Sequence, residues 1–218
     1  MPVSAAALVA FNFDPISQID GSWLAEHGGA GSELLESIAH SPDARPKLAR
    51  YLMDHHKLTG TWWTDFSFPR SRIALLDRDV LQTVLLRMGL LIKGDEIRRD
   101  LDGAHRRTTR ARIGDEDMDF VLGTAPLLGR PEPVDHEFEH TDPRHRFMAL
   151  GLAACADRML LEESAYRVRL SLRLPKQLAV TLSDLATADR SLRGSPGLSR
   201  LIRRILKDFA PSWLPLFD

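Results

Sequence analysis

The stretch LLRMGLLIKGDEIRR, Leu85 to Arg99, decides how the chain is read. With Leu81 and Val84 upstream, Leu85, Met88 and Leu91 recur about one turn apart, the spacing that lays an apolar stripe along an α-helix. Asp77 or Asp79 can cap this helix. Gly94 is placed to end it after Ile92, and Asp95 to cap a short second helix that turns Ile97 and Leu101 inward and Arg98 and Arg99 outward. Such a corner packs on one side and presents charge on the other.

The same logic extends in both directions. Asp115, Glu116 and Asp117 suit the positive end of a helix dipole and open a helix to Leu122, which Gly123 and Pro126 close. Pro131 and Pro133 mark residues 129–142 as an exposed linker. Asp142-Pro143, a capping residue followed by proline at the first helical position, starts a long helix. Phe147, Leu150, Ala154, Met159 and Leu160 form its core face, and Gly151, Ala153 and Ala154 leave room for another helix. Tyr166 to Leu174 fits a strand through Leu170, Leu172 and Leu174, and a helix through Tyr166, Leu170 and Leu174. Ser195-Pro196 opens a last helix with Leu198, Leu201, Ile202, Ile205 and Phe209 on one face and Arg200, Arg203, Arg204 and Lys207 elsewhere. Pro211 stops it. The apolar WLPLF tail then either folds back onto the core, the simpler reading, or docks on a partner. The first third is loop-rich, broken by Gly28, Gly29, Gly31, Pro42 and Pro46. The fold class is therefore mainly α: one compact, irregular helical domain over residues 1–218 with a loop-rich N-terminal third.

Three segments in this order, Leu85 to Arg99, RLSLRLP at Arg169 to Pro175, and LIRRILKDFAPSWLPLF at Leu201 to Phe217, resemble the SctK (YscK/PscK) family. A weaker echo lies in AFNFDP at Ala10 to Pro15, and nothing between Arg106 and His140 matches. The resemblance tips Tyr166 to Leu174 towards helix. It implies a non-enzymatic cytosolic adaptor of the type III secretion sorting platform. The partners it implies are the cytosolic domain of the SctD-class inner-membrane ring component, the SctQ-class pod protein and, indirectly, the SctL-class stator. Candidate contact residues are Arg98 and Arg99 at the corner, and Arg203, Arg204 and Trp213 near the C-terminal end.

Composition fits this expectation. A chain of 218 residues, 44% hydrophobic and 27% charged, can bury a real core, and its net charge of −1 steers it globally neither to nucleic acid nor to anionic membrane. The apolar run Ala5 to Phe13 lacks a basic leader and is too short to span a bilayer, so the expected location is the cytoplasm, at the inner membrane only through partners. The single Cys155 sits in an apolar run and reads as a small buried side chain.

Two alternatives stay open on residues alone. His136, Glu137 and His140 in HEFEH satisfy HExxH, the pattern of a zinc-dependent hydrolase with Glu137 as general base. The flanking prolines leave barely two turns for a helix that such a site needs long and buried, so no metal or other cofactor is assigned. Arg106, Arg107, Arg110 and Arg112 could meet phosphates, with Trp62, Trp63 or Phe66 stacking on bases. Acidic residues follow at once, and no nucleic-acid-binding signature frames the cluster, so the expectation is no nucleic acid. Trp62 and Trp63 read as core anchors, and Asp54-His55-His56 as a helix C-terminus. No phosphate loop, dinucleotide fingerprint or nucleophile elbow occurs.

Overall fold

A computed structural model describes residues 4–27, 37–38, 40–100, 102–129, 131, 138–187 and 197–218. Among these residues the structure is helical and contains no strand. In chain order the helices are α1 Ala5–Phe13, α2 Gly21–His27, α3 Arg45–His55, α4 Arg78–Arg99, α5 Gly103–Ile113, α6 Asp115–Asp119, α7 Ala125–Leu128, α8 Pro143–Cys155, α9 Arg158–Glu162, α10 Ser164–Leu172, α11 Gln177–Thr187 and α12 Leu198–Phe209. Short 3-10 turns cover Ser71–Leu75 and Pro211–Phe217, and a π-turn covers Phe120–Thr124. No helix among the described residues is long and apolar enough to cross a membrane. The chain divides into two compact units, one of residues 1–78 with 159–187 and the other of 79–158 with 188–218.

The first unit is built around Ile16, Ile19, Leu24, Leu52, Leu58 and Leu172, with Trp23, Leu48, Met53 and Val168 packed against them. Residues 56–70 form no helix, so their backbone groups are satisfied by isolated turn hydrogen bonds and by side-chain partners. Asn12 supplies two: its Oδ1 accepts from the Trp63 amide at 2.8 Å and its Nδ2 donates to the Trp63 carbonyl at 2.8 Å. RLSLRLP supplies another, at the Thr61 carbonyl. The helix reading of this segment holds, and Arg169 and Arg173, one turn apart at the end of α10, both point inward. Arg169 donates to the carbonyls of Ala165, Thr61 and Asn12, and Arg173 to those of Ala74 and Leu76 at 2.5 and 2.8 Å. Burial lowers both guanidinium pKa values, that of Arg173 to about 10 with Asp77 opposing the shift. The Arg173 guanidinium also lies 5.1 Å from the Phe11 ring centroid. Arg169 thus ties Thr61 to α10, and Arg173 holds the end of the 3-10 turn Ser71–Leu75 and the residue after it. Trp62, expected in the core, is instead 61% exposed: the hydrogen bonds of Trp63 to Asn12 set the local register, and only Trp63 turns toward Tyr166, 5.8 Å away between ring centroids.

The second unit centres on α4, whose residues Val84–Leu91 are all buried, so the expected one-sided stripe is a helix enclosed on every side. Its neighbour α8 starts where Asp142-Pro143 indicated, with the Asp142 side chain accepting from the Arg144 amide at 2.9 Å. The two helices touch at the backbone: a Cβ on Gly151 would lie 1.8 Å from the Leu85 carbonyl oxygen, and one on Gly89 would lie 1.9 Å from that of Phe147. Gly151, one of the small residues read in α8, makes this contact.

Three boundaries differ from expectation. α4 does not end at Gly94 but continues to Arg99, because a glycine inside a helix costs only about 1 kcal/mol and here it makes room. A Cβ there would meet Arg98 Nη1 at 2.8 Å and Val121 Cγ2 at 3.3 Å. The turn falls later, at Asp100, and Asp102 caps α5 by accepting from the Ala104 amide. Leu101, expected to turn inward, lies outside the described residues, as does the Ser195-Pro196 start of the last helix. Likewise Gly123 and Pro126 do not close a helix: the π-turn absorbs the glycine, and the proline falls in the first turn of α7, where its missing N–H is no loss. α8 stops at Cys155, and Met159, placed by periodicity on the core face, is 78% exposed because Ala156 is extended and restarts the register. Cys155 is buried as read.

The tail folds back. Pro211–Phe217 lies against α12, and Phe217 is only 4% exposed. Deleting residues 211–218 is expected to destabilise the protein by at least the burial of Phe217, about 1.5 to 3 kcal/mol, visible as a lower melting temperature. An unchanged melting temperature would mean that the tail contributes nothing to the fold.

Candidate interaction surfaces

The corner at the end of α4 does not present two free arginines. Arg98 Nη1 donates to the Val121 carbonyl at 2.9 Å, Nη2 is paired with Asp95, and its side chain is 25% exposed. Arg99 is 83% exposed, with only a 4.0 Å contact to Asp95. The outward reading thus holds for Arg99 and is corrected for Arg98, which ties α4 to the π-turn.

Inside the same unit a second arginine is committed to structure. Arg87 is buried, its Nε 3.0 Å from Asp117 Oδ1 and its Nη2 2.6 Å from Glu116 Oε1. Its guanidinium lies 5.0 Å from the Phe120 ring centroid and 4.7 Å from that of Phe209. The acidic start of α6 therefore serves this ion pair as well as the helix dipole.

Around α12 the arrangement opens outward. Ser199, Arg200, Arg203, Arg204, Lys207, Leu214 and Phe217 line a groove of about 480 Å³ between the helix and the folded-back tail. Arg203 is paired with Asp218 at 2.8 Å, and Arg204 donates to the Leu128 carbonyl at 3.1 Å. Among the described residues Arg200 and Lys207 have no partner. Trp213, in the same tail, is half-buried and does not line this groove. Of the residues singled out in the sequence, the structure brings Arg203 and Arg204 into this groove, and places Trp213 in the tail that flanks it. Arg200 and Lys207 are the additions, visible in the sequence only as the polar side of an amphipathic helix.

A second cleft, of about 380 Å³, lies between the end of α4, α5 and the start of α8, and its lining includes Lys93, Glu96, Asp100, His105, Arg106 and His140. Its charges largely pair internally, Lys93 with Glu96 at 2.7 Å and His105 with Asp100. The amide of Asp102, with His105 adding to it, holds the Asp100 carboxyl below its ordinary pKa. Burial, helped by His145, lowers that of His140. His136 and Glu137 of HEFEH lie outside the described residues, and residues 138–140 are not helical, so the described part of the motif lacks the helix that HExxH requires. No group of three His, Cys, Asp or Glu that could hold a metal occurs among the described residues. In the Arg106–Arg112 cluster, Arg110 is bound by Asp115 and Asp119 at 2.8 and 3.3 Å, which removes the central charge that a phosphate contact would use. Phe66 is buried against Phe11 and offers no stacking face. His55 and His56 end α3, as read.

No curated protein matches the chain, and no solved structure does. The family model for YOP proteins translocation protein K (YscK) matches residues 7–217. With nearly the whole length matched, the chain belongs to the YscK family of type III secretion proteins.

Proposed function

We propose that the protein is a non-enzymatic adaptor of the type III secretion sorting platform. It acts in the cytoplasm at the inner membrane, joining the SctD-class ring component to the SctQ-class pod protein and, through that protein, to the SctL-class stator. The observation that carries this reading is the family match over residues 7–217. Two charged, accessible surfaces in the second unit suit a part that binds on more than one side: Arg99 at the end of α4, and the groove lined by Arg203 and Arg204. Both units together form the adaptor.

Capture of the tagged protein from its native bacterium tests the reading, with ring and pod components expected to co-elute. Their absence after gentle lysis would overturn it. In the same assay Arg99→Glu should reduce recovery of one component while leaving the melting temperature unchanged, since an exposed charge contributes little to stability. Arg98→Glu should instead lower the melting temperature, because it breaks a charged hydrogen bond to Val121 worth roughly 1.5 to 3 kcal/mol.

A further inference from the structure

We propose that the groove between α12 and the folded-back tail is the seat of an acidic segment of a partner protein, held by carboxylates on Arg200, Arg203, Arg204 and Lys207 and by an apolar side chain on Leu214. This deepens the adaptor reading and rests on it for the partner's identity, while the chemistry rests on the groove itself. The cations fall at i, i+3, i+4 and i+7 of one helix, a stripe about 10 Å long. Like charges one turn apart repel. Nothing among the described residues neutralises Arg200 or Lys207, so these two leave the stripe a net positive field that a partner's carboxylates would relieve. The seat already accepts a carboxylate: Asp218 lies 2.8 Å from Arg203 Nη2. A partner carboxylate would make the same contact by displacing Asp218.

The groove suits a peptide better than the other polyanions. A nucleic-acid backbone requires a longer basic track and stacking groups. A membrane surface requires an apolar anchor that can insert, whereas Phe217 is buried and Leu214 half-buried.

Photo-crosslinking in the native bacterium decides the matter, with p-benzoylphenylalanine in place of Ser199, a groove-lining residue, in the full chain. The expected product is a crosslink to a protein segment carrying several carboxylates within about eight residues, the span of the cation stripe. Its yield should fall at least about tenfold when Arg200→Glu and Lys207→Glu are added, with the melting temperature unchanged, and should fall as salt is raised through the range where the Debye length drops below about 8 Å. A crosslink to a neutral or basic segment, to phospholipid or to nothing would overturn the proposal, as would a yield indifferent to the charge reversal. A neutral segment belonging to a ring or pod component would remove the groove chemistry and leave the adaptor reading standing. An acidic segment of a protein outside the secretion apparatus would do the reverse. If the bulky label unfolds the protein, the charge-reversed variant is compared with the parent for recovery of ring and pod components, and equal recovery of both rejects the proposal.

Discussion

Replacing Arg87 with alanine is expected to destabilise the protein by about 3 to 5 kcal/mol, the cost of leaving a buried charge without its partner. The uncompensated group is Asp117, whose side chain is largely covered and keeps only a 3.9 Å contact with Arg144. Glu116 adds little, because it is exposed and can return to water. Loss of the guanidinium also removes its contacts with the Phe120 and Phe209 rings, which draw the π-turn and α12 onto α4. For a chain of this size the loss corresponds to a fall in melting temperature of roughly 10 °C. Arg87→Lys should recover only part of it, since a compact ammonium cannot bridge the Asp117 and Glu116 carboxylates and lie flat against two rings at once. Arg87→Met combined with Asp117→Leu should be milder than Arg87→Ala alone, because both charges leave together. If Arg87→Ala melts within about 2 °C of the parent, the pair does not organise this unit.

The second large effect is expected at the crossing of α4 and α8. Gly151→Ala places a methyl group 1.8 Å from the Leu85 carbonyl oxygen, a backbone atom that no rotamer change can move away. The helices must separate, and because Val84–Leu91 and Phe147–Cys155 are buried throughout, separation opens voids along both. The cost should meet or exceed about 3 kcal/mol, the upper end for overpacked cores. Gly89→Ala should behave alike. Combining the two should cost less than the sum, since one displacement relieves both clashes. Gly123→Ala, where a Cβ meets nothing, is the control and should leave the melting temperature nearly unchanged. A Gly151→Ala protein as stable as this control would refute the contact.

What the sequence disclosed followed from local rules. Asp142-Pro143 announced α8 because a capping carboxylate and a fixed proline φ act within one turn, and the small residues of α8 announced a close neighbour. Gly94 misled because a helix-ending glycine and a glycine that admits a neighbouring side chain look the same until that neighbour is known. Arg87 gave no local sign of its role, since its partners lie about thirty residues away in sequence. The alternation in RLSLRLP was ambiguous because Arg169 and Arg173 are buried, which inverts the usual reading of charge as the solvent side. At the candidate surfaces the amphipathic pattern of α12 was enough to place Arg203 and Arg204 outside. The groove depends on how the tail folds back, and no local rule fixes that.

The interleaving of the two units has a consequence for anyone dissecting the molecule genetically. The polypeptide passes from one unit to the other after Arg78, after Arg158 and after Thr187, so each unit needs two stretches that are not contiguous. Any single cut between these points divides both or leaves one without its closing helices. A series of terminal truncations will therefore score unfolding as failure to bind. Fragments that isolate one unit rejoin Arg78 to Met159, or Arg158 to Ala188, through a flexible linker, so that each unit can be tried by itself against each candidate partner.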